Sequence, residues 1–74
     1  MLLSEAPIGK KLRIEALRNN PLESRMYHMG LRPGVTLSVV RASFFGGPLA
    51  VNLGSSILAL RKEEAAWVEV SPAG

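Results

Sequence analysis

The stretch from Asn20 to Val39, N-P-L-E-S-R-M-Y-H-M-G-L-R-P-G-V-T-L-S-V, decides the fold. Three helix-start features stand together at its beginning. Asn20 can cap, Pro21 suits the first helical position, and Glu23 follows three residues after the cap, as in a capping box. Leu22, Met26 and Met29 come at i, i+4 and i+7, on one helical face. Gly30 then supplies a left-handed residue just past the end, and Leu31 the apolar contact that accompanies it. The spacing predicts one short helix over residues 21–29. Arg32-Pro33-Gly34-Val35 reads as a type II turn, because proline fixes φ at its second position and glycine accepts positive φ at its third. Beyond it Val35, Leu37 and Val39 face one side and Thr36 and Ser38 the other, the alternation of a half-buried strand.

The same alternation lies on both sides of this stretch. Leu12, Ile14 and Ala16 alternate with Lys11, Arg13 and Glu15 ahead of the helix. After strand two, Phe45-Gly46-Gly47-Pro48 reads as a hairpin tip, and Leu49, Val51 and Leu53 alternate as strand three. Gly54-Ser55 is a tight turn into strand four, Ser56 to Arg61, with Leu58 and Leu60 inward. Residues 62–66 are too short for an isolated helix and suit a single turn. Trp67-Val68-Glu69-Val70 ends the pattern with Val68 and Val70 inward and Trp67 turned away to pack locally. Five short strands and one inserted helix predict a mostly β chain: a small, partly open five-stranded barrel of SH3-like or OB-like kind. Residues 1–74 make one domain, with 71–74 expected as a disordered tail.

Composition narrows the function. A chain of 74 residues with 47% apolar content supports one thin core, and without cysteine it has no disulfide to reinforce it. No apolar run reaches the ~18–20 residues that span a bilayer, and the N-terminus lacks the basic and apolar regions of a signal peptide. A cytoplasmic protein is expected. The net charge of +3 comes from nine Lys/Arg against six Asp/Glu. These basic residues are spread along the chain, so a solvated surface is favoured over a phosphate-binding stripe.

The order of elements and several motifs together resemble the ferrous iron transport protein A (FeoA) family. The motifs are Gly9, Met29-Gly30-Leu31-Arg32-Pro33-Gly34, Gly46-Gly47-Pro48-Leu49-Ala50-Val51, Leu58-Ala59-Leu60-Arg61-Lys62-Glu63-Glu64-Ala65 and Val68-Glu69-Val70. The resemblance runs from about Leu3 to Val70. It implies an SH3-like barrel and a non-enzymatic accessory role in bacterial ferrous iron uptake. The implied partner is a membrane ferrous iron transporter with a cytoplasmic GTP-binding domain, which would hold the chain at the inner membrane without insertion. A small basic barrel that binds RNA or DNA is the alternative. Tyr27, Phe44, Phe45 and Trp67 do not interleave with basic residues as a stacking platform would, which disfavours it.

Few residues carry chemistry. His28 is the one histidine, and with neither cysteine nor aspartate in the chain no metal site or cofactor is expected within one copy. Met26 and Met29 read as core filler on the helix. The serines have no aspartate to orient His28 as a base, and no phosphate loop is present, so no catalytic residues are assigned. Phe44 and Phe45 are adjacent at the hairpin, so alternation lets only one face the core. The other is a candidate partner anchor. An accessory protein can also lend a GTPase an arginine, an effect of about 10³–10⁵ in rate. Arg32 and Arg41 are the candidates, although a plain solvated role is favoured for both. Self-association through the phenylalanines or a bare strand edge is a further expectation.

Overall fold

The computed structural model describes residues 1–43 and 45–73. It contains β1 (Leu12–Leu17), α1 (Glu23–His28), β2 (Thr36–Arg41), β3 (Leu49–Asn52), β4 (Ile57–Leu60), α2 (Lys62–Ala65) and β5 (Val68–Pro72), preceded by a 3-10 turn at Leu3–Glu5. The strands form one antiparallel sheet in the order β4-β3-β2-β1-β5. Curled around its apolar face, with β4 and β5 as unjoined edges, it is the mostly β, partly open SH3-like barrel that the alternation predicts. No helix among the described residues is long and apolar enough to cross a membrane.

The passage from α1 to β2 forms by local rules. Leu31 N–H donates to Met26 O at 3.0 Å and Gly30 N–H to Tyr27 O at 3.1 Å. These are the paired bonds of a Schellman motif, and they need Gly30 at φ +98°. Leu31 is fully buried and so is Met26. Gly34, at φ +91°, completes the type II turn, with Val35 N–H donating to Arg32 O at 3.1 Å. Gly34 N–H also donates to Ile14 O at 2.7 Å and Ile14 N–H to Val35 O at 2.9 Å. The turn is therefore stitched to β1, which fixes where β2 begins.

Four expectations are corrected. The helix is shorter than residues 21–29, because Asn20 does not cap it. Asn20 Oδ1 accepts from Leu22 N–H at 2.8 Å and its Nδ2 donates to Arg18 O at 2.6 Å. The side chain is used up in an Asx turn before the helix, and Leu22 becomes an N-cap without a side-chain bond. Ala16 is displaced from the inward face by Leu17. The β1–β5 register shifts between Ile14 and Ala16, so that Ile14 faces Val70 and Leu17 faces Val68. A bulge at this point inverts the alternation, and Leu17 packs on the core.

Trp67 is half-buried against the core rather than turned away from it. The tail is also ordered further than expected. β5 runs to Pro72, and Ala73 N–H donates to Lys11 O at 2.9 Å.

Burial follows the remaining alternation. Leu12, Ile14, Leu37, Val39, Val51 and Val70 are each at most 2% exposed. Burying such a side chain is worth about 1.5–3 kcal/mol, and these six belong to a single core with Met26, Leu31, Leu60 and Val68. Leu3, fully buried from the N-terminal 3-10 turn, adds a core residue that no strand pattern signals. Met1 and Leu2 then lie along β5: Val70 N–H donates to Met1 O at 2.8 Å, and Leu2 bridges to Glu69.

Candidate docking surface

The hairpin between β2 and β3 presents the most exposed large apolar side chain described. Phe45 is 98% exposed. Its loop is shaped by Gly46 at φ +76° and by Ser43, whose Oγ accepts a long hydrogen bond of 3.4 Å from Phe45 N–H. Phe44 lies outside the described residues. At the base of the hairpin the β2–β3 register shifts between Val39 and Arg41. This irregularity leaves both Val40 and Arg41 facing solvent. Among the described residues Arg41 forms no side-chain hydrogen bond or ion pair.

Arg32 has a different setting. Its Nε donates to Tyr27 O at 3.0 Å, so the guanidinium covers a carbonyl at the C-terminal end of α1, where a cation is favourable. Arg32 precedes β2 and Arg41 ends it. A six-residue strand is about 17 Å from end to end, so the fold separates these two arginines while keeping Arg41 and Phe45 on one hairpin. His28 is exposed at the end of α1. Among the described residues no three His, Cys, Asp or Glu side chains gather as a metal site would require.

Ile57, on β4, was not among the sequence candidates although it is 65% exposed. Its signal was present, since placing Leu58 and Leu60 inward turns Ile57 outward. What the alternation did not say is that β4 ends the sheet, leaving Ile57 uncovered.

The FeoA domain model matches residues 1–72, the whole of the barrel just described. The chain belongs to the FeoA family. Its fold matches iron(II) transport protein A from Clostridium thermocellum at a TM-score of 0.89 and 32% identity, over 97% of this chain and 45% of that one. The chain thus spans under half the length of that relative. FeoA from Chlorobium tepidum matches at 0.88 and 29% identity, over 100% and 71% of the two chains. FeoA from Stenotrophomonas maltophilia, solved as a zinc complex, matches at 0.83 and 30% identity, over 96% and 89%. That protein is described as a prokaryotic SH3-domain protein and a candidate ferrous iron transport activating factor. No curated protein matches the chain significantly. The donor set in this FeoA chain does not fit a zinc site within one copy, because among the described residues neither His28 nor any glutamate belongs to a group of three potential ligands.

Proposed function

We propose that this FeoA chain is a non-enzymatic cytoplasmic adaptor that docks on the GTP-binding part of a membrane ferrous iron transporter and modulates it. The observation that carries the reading is Phe45, 98% exposed at a glycine-shaped hairpin tip with Arg41 at its base. An isolated aromatic held out from a small barrel costs solubility and is repaid when a partner pocket receives it. Membership of a family named for iron(II) transport supports the identity of that partner.

Arg41 is the better of the two candidate arginines for insertion into a GTPase, because Arg32 is already engaged with Tyr27 O. The nucleic-acid reading draws less support: Tyr27, Phe45 and Trp67 sit on separate elements and make no common stacking face.

The test is recovery of the transporter from solubilised membranes by the tagged parent chain beside Phe45→Ser. The adaptor reading expects recovery by the parent and loss by the variant. Recovery by both would move the contact away from the hairpin, and recovery of nucleic acid without transporter would replace the reading. Transporter GTP hydrolysis that changes by less than twofold on adding the chain would remove the role for Arg41.

A further inference from the structure

The two edges of the sheet are treated differently. The outer side of β5 is covered by Met1 and Leu2 of the same chain. β4 has β3 on one side and no strand on the other. The hydrogen bond from Leu53 N–H to Ser56 O, 2.8 Å, sets which pairs of the β3–β4 ladder bond to each other. Pairs alternate along an antiparallel ladder. With Asn52 opposite Ile57 and Ala50 opposite Ala59, the backbone N–H and C=O of Ile57 and Ala59 point outward. They have no backbone partner among the described residues. I-L-A-L, residues 57–60, carries no charged side chain, proline or bulge on this edge.

A half-open groove of about 460 Å³ runs beside the second half of β4. Leu22, Arg25, Pro48, Ala59, Arg61 and Glu64 line it. Its charge is lopsided. Arg25 and Arg61 are both exposed, and neither forms an ion pair among the described residues. The single carboxylate, Glu64, already accepts the Arg61 backbone N–H at 2.8 Å through Oε1.

We infer that the open edge of β4 and this groove form a docking site for an extended acidic segment of another protein, which adds to the sheet as a further strand. Backbone pairing with Ile57 and Ala59 supplies register, and alternate acidic side chains meet Arg25 and Arg61. Charge selects against a second copy of this chain. Each copy has a net charge of +3 and would bring its own Arg25 and Arg61 to the same seam, where like charges repel. The inference stands apart from the transporter reading, since peptide chemistry alone tests it.

The probe is a capped, fluorescent hexapeptide of alternating Glu and Val, beside its Lys and Val counterpart, with the full chain. Expected is binding of the acidic peptide alone, with at least tenfold slower hydrogen exchange at the Ile57 and Ala59 amides on saturation. Combined Arg25→Glu and Arg61→Glu should weaken binding at least tenfold. If that variant disturbs the amide spectrum, Arg61→Gln alone carries the comparison, with at least threefold weakening expected. The inference is overturned by no binding at millimolar peptide, by equal binding of the basic peptide, or by unchanged exchange at Ile57 and Ala59. Protection of these two amides by raising protein concentration alone would overturn it in favour of self-pairing.

Discussion

Ser43 covers Gly47: a β-carbon on Gly47 would stand 2.8 Å from both Cβ and Oγ of Ser43. Cβ of Ser43 is fixed to the backbone, so the conflict cannot be relieved by rotating a side chain. The glycine is what lets the hairpin fold back closely enough to hold Phe45 outward.

Gly47→Ala should therefore re-aim the tip without unfolding the barrel. Amide shifts are expected to change over residues 42–48 and to leave β1 and β5 as they were. If the proposed docking through Phe45 holds, transporter recovery should fall to the extent expected for Phe45→Ser. Unchanged amide positions around Ser43 would show that the loop absorbs the methyl group.

Gly30→Ala tests the helix terminus. The left-handed φ of +98° is needed for both Schellman bonds, whereas space is not limiting, with Leu53 Cδ1 at 3.5 Å. The loss should thus be conformational strain, about 1–3 kcal/mol in urea unfolding. A neutral result would mean that the α1–β2 connection relaxes to another cap.

Leu60→Ala and Ile57→Ser separate the two faces of β4. Leu60 is fully buried and Ile57 is 65% exposed. The first should cost about 2–5 kcal/mol and the second stay within about 0.5 kcal/mol. Comparable losses would place Ile57 against a surface that the monomer lacks.

Arg18, just past β1, and Glu69 on β5 form an ion pair of 3.2 Å, with side chains 55% and 46% exposed. A double-mutant cycle to alanine is expected to yield no more than about 1 kcal/mol, shrinking with salt, because water screens both groups.

Several elements are legible in the sequence alone. The Met26-to-Leu31 terminus, the Arg32-Pro33-Gly34 turn and the alternation of Leu37, Val39, Leu49 and Val51 each depend on neighbouring residues. A positive-φ glycine or a two-residue period states its own structure. Asn20 departs from its expected role for a related reason. It carried two local options, a helix cap and an Asx turn, and the bond to Leu22 N–H won. At the hairpin, two adjacent phenylalanines beside a Gly-Gly tip implied an exposed aromatic, and Phe45 is one.

The amino-acid order by itself determined the class, the strand count, the inserted helix and the family signature, because these are written in local period and turn chemistry. Tertiary structure decided what depends on partners far along the chain. Pairing with Val68 and Val70 put the bulge in β1 and drew Leu17 inward in place of Ala16. Return of the N-terminus onto β5 buried Leu3 and closed one sheet edge. The other edge, at Ile57 and Ala59, stays open because no segment of the described chain returns to it. A strand's sequence specifies its two faces, whereas its edges are specified only by which strands come to lie beside it.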